Sequence, residues 1–214
     1  QTTPSGVEPQ QNHNNARIAF SIEFYPEEGK YHFTGHRDCN YSQGPGKSEQ
    51  VPICPVCRRP LTVGVMDRVE QLKTRSTSKN LSASQKQETR IQNGVRWIYP
   101  EGTGRSPFVS CVPLTEVLAE ALGLTVGSKK IVDQYMALVS LFGSESNVLL
   151  SADLLEVKRQ AGDRVSEAIA KVRSGDIVVD PGYDGKFGVV KIWSQDQEVA
   201  KDAGKEETQL NLFA

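Results

Sequence analysis

With 214 residues, 25 Lys and Arg against 26 Asp and Glu, a formal net charge of −1 and 37% hydrophobic residues, the chain is long enough for one large or two small globular domains. The near-even charge excludes a uniformly basic nucleic-acid binder, so contact with phosphates has to come from local clusters of cations. No apolar run approaches the roughly 20 residues of a membrane span and no charged-then-apolar start suggests a signal peptide, which predicts a soluble protein with no membrane partner. The chain begins with Gln1 rather than Met, and the expectation is that it is trimmed or belongs to a longer one.

Residues 1–15 are polar, with Pro4, Gly6, Pro9 and the single charge Glu8, and read as a linker. From Ala16 the chain alternates, with Ile18, Phe20, Ile22 and Phe24 on one side, the period of a half-buried strand. A turn through Pro26 and Gly29 leads to a return strand with Tyr31, Phe33 and Gly35, so a hairpin is expected. At its end stand His36 and Cys39, two residues apart, followed after fourteen intervening residues by Cys54 and Cys57. Two knuckles of paired ligands complete the tetrahedron of a structural zinc site, and thiolate with imidazole suits zinc better than a hard cation.

Two other readings compete for these residues. A redox Cys-x-x-Cys normally opens a helix in a βαβ setting, whereas Arg58, Arg59, Pro60 and the strand-like residues 61–65 follow Cys57. Buried free thiols and a core histidine are usual for lone residues, and four ligands in paired spacing are not lone. Cys111 is left over in the apolar run of residues 108–112, where a thiol packs as a small hydrophobe. An unpaired cysteine argues for a reducing compartment, with cytoplasm as the default.

Residues 41–50 read as a loop and residues 67–73 as a short helix with Val69 and Leu72 three apart. Residues 74–96 carry Arg75, Lys79, Lys86, Arg90 and Arg96 against Glu88, a local excess of four positive charges, and read either as a solvated linker or as an arm on phosphates. Beyond Trp97 helical spacing dominates. Thr115 opens a helix stopped by Gly123, Ser128 opens one with Ile131, Tyr135, Leu138, Val139 and Phe142 up to Gly143, and Ser151 with Asp153 open a third. Residues 164–173 continue as a helix ended by Gly175. Residues 176–179 and 188–193 read as strands around the turn Pro181-Gly182-Tyr183-Asp184-Gly185.

The fold class is therefore α+β. A small zinc-knuckle β-hairpin module over residues 16–73 is followed by a basic linker or arm over 74–96. A mainly helical module with a C-terminal β-hairpin spans 97–193, and an acidic, flexible tail spans 194–214. Arg37, Arg58, Arg59 and Arg68 cluster near the knuckles, where they either form an ordinary solvated surface or present cations to a phosphate backbone.

The run from Ile22 to His32, Gly35-His36-Arg37, Cys54-Pro55-Val56-Cys57, residues 61–65, Arg68-Val69-Glu70 and the Pro181–Gly185 turn together resemble the C-terminal half of endonuclease Q. The resemblance covers residues 16–74 and 107–193. It implies the DNA-binding and lesion-recognition half of a repair endonuclease that nicks 5′ of deaminated bases such as uracil and hypoxanthine, or of abasic sites. In that family catalytic divalent metals sit in an N-terminal barrel domain that nothing here matches. The histidines are His13, His32 and His36, with no His-x-His, so the chain alone is not expected to cut phosphodiesters. Asp67 stands where the family has a His, and Arg58 where a Gly often follows the knuckle.

Tyr183 and Asp184 are expected either to form a plain hairpin turn or to meet an extruded base, Tyr183 by stacking and Asp184 by accepting from a ring N–H. Gln209, Leu210, Leu212 and Phe213, behind the acidic tether, resemble the pentapeptide by which bacterial repair proteins dock on the sliding clamp. A frayed tail is the plainer reading of the same residues. Two other classes of function stay open beside the endonuclease half: a stand-alone zinc-dependent nucleic-acid-binding adaptor docking on the clamp, and a purely structural zinc module.

Overall fold

Leucine, isoleucine and valine at helical spacing concentrate after residue 113, and the main core forms there. The computed structural model describes residues 18–46, 52–76, 87–101 and 104–194. Helix α2 (Leu114–Leu122) buries Leu114, Val117 and Leu118, and stops where Gly123 takes φ 65°, a left-handed conformation that costs glycine nothing. Helix α3 (Lys129–Phe142) buries Ile131 and Leu138. The short α4 (Glu145–Leu150) is capped by Ser144 Oγ accepting from Asn147 N at 3.1 Å, a start the sequence reading missed. In α5 (Leu154–Ala161) Asp153 caps by accepting from Leu155 N at 2.9 Å. Helix α6 (Asp163–Ser174) buries Val165, Ala168, Ile169 and Val172 and packs on α2, α4 and α5. Ser128 opens α3 by position, without a side-chain cap bond, whereas α2 starts one residue before Thr115, at Leu114 with Pro113 as its N-cap.

Strands β1 (Ser21–Glu23), β4 (Gln87–Gln92), β5 (Val95–Pro100) and β6 (Phe108–Ser110) form one sheet in the order β1-β6-β5-β4. This corrects two expectations. The alternating stretch does not fold back on Tyr31 and Phe33. It runs parallel to β6, with Ile22 opposite Val109. Nor is it half-buried, since Ile18, Phe20, Ile22 and Phe24 are all exposed. Ile22 and Phe24 instead edge a groove of about 310 Å³ shared with Cys111, Val112, Leu149 and Leu150. The basic stretch expected as linker or arm contains all of β4, paired antiparallel with β5 from Gln87 opposite Pro100 to Gln92 opposite Val95. Its positive-φ pair Asn93 and Gly94 makes the tight turn between them.

The zinc-pattern region is built on a different hairpin. Strand β2 (Thr34–His36) pairs antiparallel with β3 (Tyr41–Gln43), part of the stretch expected as loop, across a one-turn 3-10 segment, Arg37–Cys39. Helix α1 (Val65–Ser76) is longer than expected and leaves Val69 and Leu72 exposed. Strands β7 (Val178–Asp180) and β8 (Val189–Lys191) pair antiparallel and carry the Pro181–Gly185 turn. The end of β8 is fastened to α2 and α6 by two glutamates. Glu120 Oε1 accepts from Ile192 N at 2.7 Å, and Glu167 Oε1 accepts from the Trp193 indole at 3.0 Å. Among the described residues no helix is long and apolar enough to cross a membrane.

Candidate metal centre and its joint with the PGYDG turn

His36 closes β2, and Cys39 ends the 3-10 segment because Asn40 turns the backbone at φ 48°, a left-handed value that asparagine tolerates. The second knuckle is a loop in which Arg58 N donates to Cys54 O at 2.9 Å and Cys54 N to Arg59 O at 2.8 Å. Arg58 holds φ 60°, which explains why glycine suits this position and why arginine carries some backbone strain there. Backbone bonds in both directions between Gly35 and Thr62, at 3.0 and 2.9 Å, lay the second knuckle's return segment beside β2.

The four expected ligands meet. Their donor atoms all lie within 4.8 Å of one another, His36 and Cys54 being buried and Cys39 and Cys57 half-buried. A tetrahedron with metal–ligand distances of about 2.1–2.3 Å has edges of roughly 3.6 Å, so this cluster is arranged to hold one ion, and its donors suit zinc. Among the described residues no other His, Cys, Asp or Glu group gathers in this way. His36 Nδ1 is 3.3 Å from Cys57 Sγ, so Nδ1 is the ring nitrogen that faces the thiols, and the Asp38 carboxylate lies 3.9 Å from Nε2. The Arg59 backbone N–H, with the other two thiols, draws the Cys57 thiol down to about 6. Burial and hydrogen bonds to Cys57 and Cys54 push Cys39 up to about 11. Cys111 stands apart, buried in the helical core, and burial raises its thiol to about 11. His32 is also buried, its Nδ1 2.9 Å from Pro26 O.

Around the cluster the expected DNA-facing residues divide. Arg37, Arg58, Arg59 and Arg68 are exposed; Arg37 sits 3.8 Å from Asp38, and Arg68 bonds Gln71 at 3.2 Å. Tyr183 and Asp184, expected either as a plain hairpin turn or as groups that meet a base, are both bonded within the chain. The Tyr183 ring is 6% exposed, with no free face, and its hydroxyl donates to Asn40 Oδ1 at 2.8 Å. Asp184 accepts from Arg37 N at 2.7 Å and from Thr62 Oγ1 at 2.5 Å, one partner from each side of the metal cluster. The Thr62 hydroxyl, then the Arg37 N–H, hold its carboxyl below the usual carboxylate range.

Backbone bonds complete this joint. Phe33 N donates to Gly182 O at 2.9 Å, Gly182 N to Glu27 O at 2.8 Å and Gly185 N to Lys30 O at 2.9 Å. Gly182 has no room for a side chain, since a Cβ there would lie 2.5 Å from Gly29 O and Gly188 N. Gly35 is under the same constraint, with the Tyr183 ring 2.5 Å from where its Cβ would stand. Asp67, which stands where the family has a His, is buried and accepts from Thr34 Oγ1 and from Gly46 N at 3.2 Å. Nothing in local sequence signalled the pairings of Thr34, Asn40 and Thr62, because the groups they bond lie far along the chain. The clamp-like residues Gln209, Leu210, Leu212 and Phe213 lie outside the described residues.

Comparison with known proteins follows this division. Residues 113–176, from just before α2 to just past α6, match the family model described as the MJ0043 C-terminal domain. The uncharacterized protein MJ0043 of Methanocaldococcus jannaschii is 25% identical over 188 residues, which are 87% of this chain and 21% of that protein. The crystal structure of the lesion-specific endonuclease PfuEndoQ from Pyrococcus furiosus superposes with a TM-score of 0.59 at 23% identity, covering 84% of this chain and 40% of that one. Endonuclease Q in complex with a 27-mer duplex bearing an abasic lesion gives 0.60 at 24% identity, with the same coverage. The chain thus spans about a fifth of its curated relative and two fifths of the solved chains. Residues 113–176 are thus similar to the MJ0043 C-terminal domain, and the chain shares the fold of two fifths of the solved endonuclease Q chains.

Proposed function

We propose that this chain is the DNA-binding and lesion-recognition part of a repair endonuclease that nicks 5′ of uracil, hypoxanthine or abasic sites, cutting only together with a separate domain that holds the catalytic divalent metals. The observation that carries this reading is the joint: one carboxylate, Asp184, ties the two sides of a four-ligand cluster to the turn that follows the helical core. The likeness in fold to an endonuclease solved on a lesion-bearing duplex supports the same reading.

The metal is zinc, and its role is structural. Among the described residues 26–46 and 52–72, none belongs to the main apolar cluster, and their buried apolar side chains are Pro52, Cys54 and Leu61. So small a core cannot hold a hairpin and two loops by itself, and metal binding supplies folding free energy there. Arg37, Arg58, Arg59 and Arg68, exposed around this rigid base, serve as phosphate contacts that set position without reading sequence. The tail from Gln209 to Phe213 docks on a bacterial sliding clamp, bringing a cytoplasmic repair enzyme to newly replicated DNA.

Binding of the zinc-loaded chain to matched duplexes with a single uracil, a single abasic site or no lesion tests the reading. Tighter binding to the lesion duplexes, without nicking, is expected. Equal affinity for all three removes the lesion-recognition role, and nicking by the chain alone removes the division of labour.

A further inference from the structure

The burial of Tyr183 leaves the lesion-recognition reading without its stacking group, but an exposed aromatic pair stands beside it. Phe187 is 67% exposed and Tyr31 44% exposed, one from the loop before β8 and the other from the turn before β2. The Lys30 ammonium lies 5.5 Å from the Tyr31 ring centre and 5.7 Å from that of Phe187, so the two rings flank a single cation. Gly185 N donates to Lys30 O at 2.9 Å, which fixes the two loops against each other. A side chain at Gly185 would stand 3.6 Å from an Arg37 guanidinium nitrogen and 3.8 Å from the Tyr31 hydroxyl, so Arg37 and Tyr31 flank the same bare stretch of backbone. Lys186, the next residue, is exposed and holds its ammonium 5.5 Å from the Tyr183 ring. Two open rings therefore share a surface with Lys30, Arg37 and Lys186. Two nearby acids are engaged, Asp184 in the joint and Asp38 beside Arg37 and His36.

We propose that Tyr31 and Phe187 form a stacking platform for unpaired bases, with Lys30, Arg37 and Lys186 on the adjoining phosphates. The ligand class is a single strand, or a nucleotide drawn out of a duplex, because the bases of an intact duplex have both faces covered by their neighbours. Exposed rings interleaved with cations are the arrangement that binds such strands with little sequence preference. An apolar protein partner would gain nothing from three solvated cations around two rings. The platform is fixed to the metal cluster through Arg37, whose neighbour His36 is a ligand, and to the helical core through β8. A stacked base therefore sits against a preorganised surface, not a loop that must order on binding. This inference rests on the DNA-binding reading above and adds to it which residues meet the base.

The test uses the zinc-loaded full chain with a fluorescent oligothymidine single strand and a blunt, undamaged duplex of equal length. Phe187→Ala and Tyr31→Ala are each expected to weaken single-strand binding about tenfold with a change below twofold on the duplex. Lys186→Ala is expected to weaken both and to lower the slope of log affinity against log salt by about one. Both aromatic side chains are exposed, so melting temperatures should stay at the parent value and report that the fold is intact. Unchanged single-strand binding in both aromatic variants, or equal loss on strand and duplex, overturns the platform while leaving DNA binding in place. Absence of binding to either DNA by the parent chain overturns the DNA-binding reading itself.

Discussion

Replacing Asp184 separates a structural joint from base readout. The carboxylate accepts two hydrogen bonds, from Arg37 N at 2.7 Å and Thr62 Oγ1 at 2.5 Å. Fully buried charge-assisted bonds of this kind contribute about 1.5–3 kcal/mol each, but Asp184 is half-buried and water replaces part of what is lost. A combined loss of about 2–3 kcal/mol is the reasoned figure for Asp184→Ala. For a chain of this size it lowers the melting temperature by roughly 5–10 °C. Position 184 holds φ 45°, so alanine adds a left-handed backbone penalty of about 1 kcal/mol that glycine avoids and asparagine largely escapes. Asp184→Asn, which keeps one acceptor oxygen, should lose about half as much as Asp184→Gly, with Asp184→Ala the least stable of the three. Scanning calorimetry of the zinc-loaded protein, with a chelator competition for the metal, measures both consequences, and weaker zinc retention should follow the same order. Unchanged melting and zinc retention in all three variants, with discrimination between uracil and abasic duplexes lost, would refute the joint and restore the readout role.

Four further outcomes are open to measurement. Cys57→Ser should abolish stoichiometric zinc and Cys111→Ser should retain it, as metal analysis will report. Because burial raises the Cys111 thiol to about 11, it stays protonated at pH 8, and its alkylation rate should climb about tenfold per pH unit toward 11, whereas Cys57 should resist alkylation in the zinc-loaded protein and react once a chelator removes the metal. The fully buried side of Arg173 donates from Nε to Leu149 O at 2.8 Å and from Nη2 to Val148 O and Ala152 O at 3.0 and 2.7 Å. Arg173→Met orphans these carbonyls at the end of α4 and should cost about 3 kcal/mol in denaturant unfolding, with Arg173→Lys recovering little because lysine lacks the planar fork. A peptide of residues 206–214 should bind a bacterial sliding clamp weakly by calorimetry, and binding that survives replacement of both Leu212 and Phe213 by Ala would rule out that docking mode.

What could be read from the sequence was whatever is written in short spacing. Two ligands two residues apart declare a knuckle, because adjacent turns of the same loop converge on one ion, and Gly123, Gly143 and Gly175 declare helix ends because each takes a positive φ. The alternation from Ile18 to Phe24 misled for a physical reason. Period two reports that one face differs from the other, not that the apolar face is covered, and in this chain all four side chains are exposed. Likewise the cations of residues 74–96 concealed β4, whose six residues are exposed and are held by backbone pairing with β5 instead of by burial. A strand without an apolar face leaves hydropathy nothing to detect.

The joint shows the deeper limit of local reading. Asp184 is 147 residues from Arg37 and 122 from Thr62, and Tyr183 is 143 from Asn40. Each residue has a local reason that the structure makes plain: Asp184 and Asn40 take positive φ, Gly182 lies where two backbones press together, and Thr62 stands in a stretch that reads as a strand. None of those local signals says which distant group is the partner, and a Pro-Gly-Tyr-Asp-Gly turn would read the same whether its tyrosine met solvent, a base or Asn40. The choice is made by closure of a loop of well over a hundred residues, whose ordering cost is recovered only when several bonds form together: the Phe33, Gly182 and Gly185 amides, the Tyr183 hydroxyl and both Asp184 oxygens. That cooperativity is why the same turn can position Lys186 and Phe187 beside Lys30 and Tyr31. Once Asp184 is committed inward, the residues that follow it are held outward at a fixed place beside the His–Cys cluster.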